Sequence, residues 1–493
     1  MTTAYEIVIG LEVHVQLLTQ TKIFCGCPAA FGAPPNSHVC PVCLGLPGAL
    51  PVLNRRALEL GVRTALALHC EISPRITFDR KHYFYPDLPK NYQISQYDLP
   101  LSHHGGLPVR LPSGEKRIGI TRAHLEEDAG KLLHEGVTDG SLVDFNRAGV
   151  PLLEIVSEPE MSSPAEAYAY LGELKAILQY LEVSDCNMEE GSLRCDVNVS
   201  LRPAGARELG AKVEVKNLNS FKAVRAALEY EARRQQQALE HGERIVQETR
   251  LWDADRAVTV TMRSKEGASD YRYFPEPDLV PFEIPAEEIA RARETLPELP
   301  RARAERLMAQ YQLTAYDAQV LTAEKTIANF FEAVVAAGGA PKPAAHWIMG
   351  DVMSWLNAQQ VSPQSVLLDL PAAAPQPQHL APAQIVQLLR LVDSGALSRP
   401  AAKDVLVTMM QTGRPPEEIM ASQGLRQVSD AAALEAVVER VLVANAAGVD
   451  DFRRGKTNAL MFLVGQCMKV SKGQANPHMI ADMLRRRLAQ SHA

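Results

Sequence analysis

The stretch that decides the fold is Ile7–Leu17, IVIGLEVHVQL, near the start of a 493-residue chain. Its odd positions, Ile7, Ile9, Leu11, Val13, Val15 and Leu17, are all apolar, whereas Gly10, Glu12, His14 and Gln16 alternate with them. Side chains point to opposite faces along a strand, so the pattern predicts one face on a core and one face carrying polar groups. Shorter copies follow. CDVNVSLR sets Asp196, Asn198, Ser200 and Arg202 against Val197, Val199 and Leu201, KVEVKN offers Lys212, Glu214 and Lys216, and AVTVTMR offers Thr259, Thr261 and Arg263. Strands of this kind predict an antiparallel sheet with a core side and an open side.

Helical stretches at Pro164–Leu181 and Phe221–Gly242 intervene, so the expected class is α+β. Past about Pro285 the texture changes to amphipathic helices such as EEIARARETL, RARAERLMAQYQL and TIANFFEAVVAA. The Pro/Ala-rich run LPAAAPQPQHLAPAQ, Leu370–Gln384, reads as an exposed connector, and helices resume from about Gly424. The expected domains are therefore 1–293 for the sheet, 294–423 for an all-α domain and 424–493 for a small all-α tail. A chain of this length exceeds one ordinary core.

No run of about 20 apolar residues could span a bilayer, and MTTAYEIVIG lacks the parts of a signal peptide. A soluble cytoplasmic protein with no membrane partner is expected, and in a reducing compartment its eight cysteines point away from disulfides. A net charge of −7 argues against indiscriminate coating of nucleic acid. From Asp451 onward, however, eight Lys/Arg, including Lys456, Lys469, Lys472, Arg485 and Arg486, face only Asp451 and Asp482. Such a basic end suits a local contact with a polyanion, or is simply a solvated helix end.

Cys25, Cys27, Cys40 and Cys43 form a C-x-C-x12-C-x2-C pattern with a turn-rich loop between the pairs. Two close pairs suit a tetrahedral thiolate zinc site, a knuckle spanning 25–43; unligated thiols and a redox pair are the alternatives. With four protein ligands a zinc ion has no open position, so it would hold a loop and do no chemistry. The acids point elsewhere. Glu12 and His14 share a strand face, HLEEDAGK offers Glu126, Glu127 and Asp128, LLEIVSEPE offers Glu154 and Glu158, and MEEGSLRCDVN offers Glu189, Glu190, Asp196 and Asn198. Carboxylates with one imidazole on an open face suit Mg²⁺, which keeps waters and shares substrate phosphates; the bland alternative is solvated surface acids.

No phosphate-binding glycine motif accompanies them. GKT at 455–457 has Asp450 where a P-loop needs glycine, and no dinucleotide-binding G-x-G-x-x-G occurs. RKHYFYPDLPKNYQISQ supplies a basic, aromatic loop with Lys81, His82, Tyr83 and Tyr85, able to face phosphates or stack on a base, or to be an ordinary amphipathic loop.

The motifs GLEVHVQL, KHYFYPDLPKNYQISQYD, HLEEDAGK, DFNRAGVPLLEIVSEPE, MEEGSLRCDVNVSLR, EVKNLNSF, QETRLWD, RSKEGASDYRYFPEPDL and LVGQCMKVSKGQANP together resemble the GatB/GatE family, the B subunits of tRNA-dependent amidotransferases. The resemblance runs from about Tyr5 to Leu488. It implies a heterotrimer with A (glutaminase) and C subunits, converting Glu-tRNA(Gln) or Asp-tRNA(Asn) to the amide with ATP, Mg²⁺ and glutamine. It also implies a cradle-shaped, glutamine synthetase-like sheet domain and a helical tail on the tRNA. The matching positions make His14, Glu127 and Glu154 metal ligands, with Glu12, Glu190 and Asp196 around a second metal or the nucleotide. Lys81, His82, Tyr83, Tyr85 and Asn198 would then lie on the nucleotide side, and all four cysteines are present for a structural Zn²⁺. The chain carries no Gly/Ser-rich amidase signature, consistent with the kinase half of such a reaction. Two rival readings are a non-catalytic tRNA-binding scaffold and a ligase acting on a free small molecule.

Overall fold

The computed structural model describes residues 4–133, 140–264, 271–369, 378–425, 431–454, 456, 458–471, 475 and 477–490. The chain divides into two compact units, Met1–Pro300 and Arg301–Ala493.

The first unit is organised by the opening strand. Among the described residues its main sheet has nine strands: β1 (Tyr5–Gln16), β2 (Glu71–Ile72), β3 (Ser102–Leu111), β4 (Gly114–Glu127), β5 (Pro151–Ser157), β6 (Leu193–Pro203), β7 (Val213–Lys216), β8 (Glu248–Asp253) and β9 (Val258–Ser264). Their spatial order is β9-β8-β7-β6-β1-β5-β4-β3-β2. The first strand in sequence therefore lies mid-sheet, between partners that come more than a hundred residues later.

The expected antiparallel sheet is in fact mixed. β7 and β8 run parallel, Val213 opposite Glu248 and Lys216 opposite Leu251. A parallel pair needs a crossover long enough to return the chain to the same end, and the helix Phe221–Glu240 between these strands provides it.

Helices α1 (Arg55–Ala67), α2 (Pro164–Tyr180) and α3 (Phe221–Glu240) join the odd-numbered β1 residues in one core. Asn54, Ser163 and Ser220 start them, each side-chain oxygen accepting a backbone N–H of the first turn. Ile9, Leu11, Val13 and Val15 from the strand meet Leu60, Leu171, Leu174, Val224 and Leu228 from the helices. Truncating one of these buried leucines to alanine costs about 2–5 kcal/mol. With the odd positions held in the core, the even positions have to face the other way. A smaller sheet of Asp79–His82, Tyr92–Ser95 and Phe274–Pro275 lies in the same unit.

The second unit is helical, with one hydrophobic cluster between Ala304 and Met420 and another between Leu434 and Leu488. The far end of the expected connector is not exposed. Leu380 and Ala381 are buried, and a helix begins at Pro382, where proline's missing N–H costs nothing, while Gln384 Oε1 accepts the Ala381 N–H at 2.8 Å. Residues 370–377 of that stretch lie outside the described residues. Among the described residues no helix is long and apolar enough to cross a membrane.

Candidate active site

Residues directly opposite in neighbouring strands share a face, so the register of β1 fixes the polar surface. His14 lies opposite Glu154 of β5 on one side and Arg194 of β6 on the other, and Glu154 lies opposite His124 of β4. One step along, Gln16, Leu152 and Glu126 align. In the other direction Glu12 faces Asp196, and Asn198 faces Glu214 of β7. The even face of β1 thereby gathers two groups from five strands.

The first group is His14, Glu126 and Glu154, whose ligand atoms all lie within 4.8 Å of one another. His14 Nε2 is 3.5 Å from both Glu126 Oε1 and Glu154 Oε2, and His124 Nε2 is 3.2 Å from Glu154 Oε2. Burial opposes a charged His14, yet the carboxylates of Glu154 and Glu126 outweigh it and push the imidazole up to about 9. Burial likewise opposes ionisation of Glu154, and the imidazoles of His124 and His14 outweigh it, holding that carboxyl well below its usual range. The two histidines thus supply the positive charge that a divalent cation would otherwise bring. Two carboxylates and one imidazole nitrogen converging at this distance fit a hard cation that completes its shell with water or phosphate oxygens.

Glu127, expected as a ligand here, is not among them. It follows Glu126 on the same strand, so its side chain leaves by the opposite face. There it forms an ion pair with Lys90 at 2.5 Å and accepts the Ile94 N–H at 2.8 Å. Glu126 takes the place that sequence reading gave to Glu127.

The second group is Glu12, Asp196 and Glu214, again within 4.8 Å. Lys216 Nζ reaches Asp196 at 2.5 Å and Glu214 at 3.1 Å, and the two acids keep that ammonium charged despite its burial. Asn198 donates from Nδ2 to Glu12 at 2.8 Å, while its Oδ1 is buried without a hydrogen-bond partner among the described residues. Three carboxylates with one ammonium and an unsatisfied amide oxygen also fit a cation with its waters. Glu190, expected at this position, sits exposed in the turn before β6, where its backbone N–H donates to Asn187. Glu214 occupies the place instead.

A buried acid joins the edge of this face. Asp128 accepts from Gln16 at 2.9 Å and from Arg194 at 2.9 Å, and Arg147 lies 3.6 Å away. Burial raises the energy of its charge, but Arg194 and Arg147 keep its pKa below the ordinary value.

The basic, aromatic loop divides by parity. Lys81 lies by the rings of Tyr271 and Tyr83, 5.0 and 5.9 Å from their centroids, and is held protonated against burial by Glu126, with help from Glu154. Tyr83 donates its hydroxyl to Gln93, whose Nε2 donates to the Glu127 carbonyl. His82, one residue on from Lys81, turns to the other side and stacks on Phe274 with centroids 4.8 Å apart. Tyr85 is 42% exposed and lies edge-on to Tyr83 at 6.1 Å. Lys81 and Tyr83 thus belong with the first carboxylate group, and His82 does not.

Cys25, Cys27, Cys40 and Cys43 bring their sulfurs within 4.8 Å of one another, and all are free thiols. The Cys40–Cys43 sulfur separation of 3.9 Å is close to the roughly 3.8 Å edge of a tetrahedron with Zn–S bonds of about 2.3 Å. A hydrogen bond from Cys25, with Lys22 nearby, pulls Cys43 down to about 4, while burial pushes Cys27 up to about 11. Four converging sulfurs, one of them held low by its neighbours, fit a closed zinc site.

In the second unit, Lys456 pairs with Asp451 at 2.9 Å and Arg485 with Asp482 at 3.0 Å, whereas Lys469 and Arg486 are exposed on the helices Asn458–Val470 and Pro477–Gln490. Lys472 lies outside the described residues.

Sequence reasoning did not single out His124 or Arg194, and it put Glu214 and Lys216 on the open face of KVEVKN without giving them a part in the site. The signal was strand parity: His124 shares it with Glu126, and Glu214 and Lys216 alternate with Val213 and Val215.

The sequence profile of the GatB/GatE catalytic domain matches residues 7–290, and that of the GatB domain matches residues 329–488. The chain is similar to the B subunit of the aspartyl/glutamyl-tRNA(Asn/Gln) amidotransferase of Carboxydothermus hydrogenoformans, 54% identical over 489 residues and covering 99% of each chain. It is 55% identical over 486 residues to the protein of that name from Moorella thermoacetica, covering 98% of this chain and all of the relative. The Myxococcus xanthus protein of the same name is 51% identical over 484 residues, covering 98% of each.

Proposed function

This chain belongs to the GatB/GatE family, and on that premise we propose that it is the B subunit of a heterotrimeric amidotransferase, working with an A (glutaminase) and a C subunit. It phosphorylates the side-chain carboxylate of Glu-tRNA(Gln), Asp-tRNA(Asn) or both, and the acyl phosphate is then amidated with ammonia that the A subunit frees from glutamine. The observation that carries this reading is the pairing of two cation-fitting groups, His14–Glu126–Glu154 and Glu12–Asp196–Glu214, on one sheet face.

The chemistry explains why such a face is needed. A carboxylate is a poor acyl donor because its leaving group would be oxide. In the proposed first step a carboxylate oxygen of the aminoacyl side chain bonds to the γ-phosphorus of ATP, and the bond to the bridging oxygen breaks, leaving ADP. In the second step ammonia attacks the acyl carbon, the C–O bond to phosphate breaks, and the nitrogen gives up a proton to form the amide. Phosphoryl transfer asks a protein mainly for alignment and for neutralisation of charge on the transferred oxygens. Mg²⁺ bound by the two groups would neutralise that charge.

The chain's own cations assist. Lys81, held by Glu126 and flanked by tyrosine rings, and Lys216, held by Asp196 and Glu214, are placed to meet phosphate oxygens. Asn198 offers its unsatisfied Oδ1 to a nucleotide hydroxyl or a metal-bound water. Tyr83 and Tyr85 offer ring faces to a base. Arg194 and Arg147, fixed by Asp128, line the edge of the face.

The four cysteines hold a structural Zn²⁺, and Lys456, Lys469, Lys472, Arg485 and Arg486 belong to a helical tail domain, 424–493, that contacts tRNA. The alternative of a non-catalytic scaffold leaves two groups of converging acids without a purpose.

The test is to combine the chain with its A and C partners, Mg-ATP, glutamine and either misacylated tRNA, and to follow ADP and amide together. Coupled release of both, lost on chelation of Mg²⁺ and lost in Glu126→Gln, is the expected result. Tight tRNA binding without ADP release would replace the kinase reading with the scaffold one.

A further inference from the structure

Lys22 is completely buried, at 0% exposure, and the groups that its ammonium meets among the described residues are two carbonyls and a sulfur. It donates to the His38 carbonyl at 2.7 Å and the Phe145 carbonyl at 3.2 Å, and its third direction meets Cys43 Sγ at 3.6 Å. Two carbonyl dipoles alone do not balance the cost of burying a cation, which runs to several kcal/mol, so the sulfur that Lys22 faces has to carry negative charge. Four thiolates around one divalent ion leave net negative charge for an ammonium to face.

The neighbours of this ammonium join the knuckle to the catalytic face. On the loop side, Asn36 donates its backbone N–H to Asp144 at 2.9 Å and His38 donates its own to Asn146 at 2.8 Å. The next residue, Arg147, donates to the Ala129 carbonyl at 3.0 Å and lies 3.6 Å from Asp128. At Gly149, φ is +85°, and a methyl group there would stand 3.5 Å from Lys22 Cδ, 3.6 Å from Cys43 Cβ and 3.9 Å from Glu127 Oε2. Its carbonyl accepts the Ile23 N–H at 2.9 Å and its N–H donates to the Asp128 carbonyl at 2.8 Å. The knuckle, the turn after Phe145 and the end of β4 therefore meet around one lysine.

We propose that Lys22 is a positioning residue that offsets the charge of a metal-loaded knuckle and, by bridging Cys43 to the Phe145 carbonyl, makes the placement of the turn 145–150 depend on zinc. That turn carries Arg147, which grips the buried Asp128 beside the catalytic face. Metal occupancy at a site with no open position then sets the geometry of a site that has one. The inference rests on the zinc reading of the four cysteines.

The experiment uses the reconstituted heterotrimer carrying wild-type chain, Lys22→Met or Lys22→Arg, and measures zinc per complex, zinc loss to a chelator, and hydrogen–deuterium exchange of peptides covering 22–24 and 145–150. Methionine keeps the length and removes the charge; arginine keeps the charge. The expected result is one zinc per wild-type complex and zinc held about 10–100-fold more weakly by Lys22→Met, as for other outer-sphere partners of metal ligands. Faster exchange at 145–150 should accompany the loss, with recovery of both in Lys22→Arg. A wild-type complex without zinc overturns the zinc reading itself. One zinc in the wild type, with unchanged zinc loss in Lys22→Met, overturns the inference alone. Should Lys22→Met not assemble, chelating zinc from the wild-type complex decides: unchanged exchange at 145–150 overturns the coupling, and faster exchange there supports it.

Discussion

The cysteine knuckle and the carboxylate face are two ways of gathering four or so donors in one unit, and they differ in every physical respect. The knuckle takes soft sulfur ligands from a single 19-residue loop, closes on itself and has one buried cation, Lys22, beside it. The face takes hard oxygen and nitrogen donors from β1, β4, β5, β6 and β7, stays open on one side, and meets its own charge with His124, Lys81 and Lys216. A closed soft site can only hold chain together. An open hard one can exchange its waters for substrate oxygens. The comparison teaches that the number of converging acids and thiols says less about chemistry than whether a coordination position is left over.

The sharpest way to break that contrast is to remove an acid from the open site. Glu126→Gln or Glu154→Gln should lower amide formation by about 100-fold or more, since each removes a charged donor from the group that would hold Mg²⁺. The melting temperature should move by only a few degrees, and single-turnover phosphorylation together with calorimetry checks both halves. Activity surviving in both variants would end the assignment of the first group.

Cys43→Ser reverses the balance of effects. Zinc content should fall from about one per chain towards zero, and the first unit should lose about 3 kcal/mol or more, read as a drop in thermal or denaturant midpoint. If stability and zinc content both hold, the knuckle is no metal site and the contrast collapses.

Glu127→Gln sharpens the comparison within one strand. This carboxylate is buried against Lys90 and the Ile94 amide, so its loss should cost about 2 kcal/mol of stability while the folded enzyme keeps its rate within about fivefold. A collapse of the rate without loss of stability would return Glu127 to the catalytic group in place of Glu126.

The smallest effect lies outside both sites. Replacing the exposed Lys469 and Arg486 together by alanine should raise the KM for tRNA several-fold and flatten its salt dependence by about two units of slope, with kcat unchanged. A salt slope equal to wild type would remove the tail from the tRNA contact.

How much of this was legible beforehand follows from how far apart the partners lie in the chain. The strand β1 was readable because its signal is internal: alternate residues decide which side is buried. The clustering of the four sulfurs was readable because the cysteines are neighbours in sequence. Helices α2 and α3 were found to within two residues at their ends, since Ser163 and Ser220 cap them.

The placement of Glu126 over Glu127, and of Glu214 over Glu190, was not read, although parity along HLEE and KVEVK already distinguished them. Choosing correctly also requires knowing that β4 lies next but one to β1 and that β7 lies beyond β6, and strand adjacency is set by the whole core. The parallel β7–β8 pair escaped for the same reason: a crossover helix and a hairpin-bound helix look alike in isolation. Burial of Leu380 and Ala381 escaped because a Pro/Ala-rich run has the composition of a linker even where proline is opening a helix.

The central position of β1 also imposes a schedule. The strand leaves the ribosome before both its neighbours, Pro151–Ser157 and Leu193–Pro203, which are made much later. At translation rates of about 5–20 residues per second, the strand waits roughly 7–28 s for its first partner. During that interval a strand rich in β-branched residues has an unpaired backbone on both sides, the condition under which strands pair wrongly. The apolar residues that later form the core under the polar face are, before their partners arrive, the exposed side of this strand.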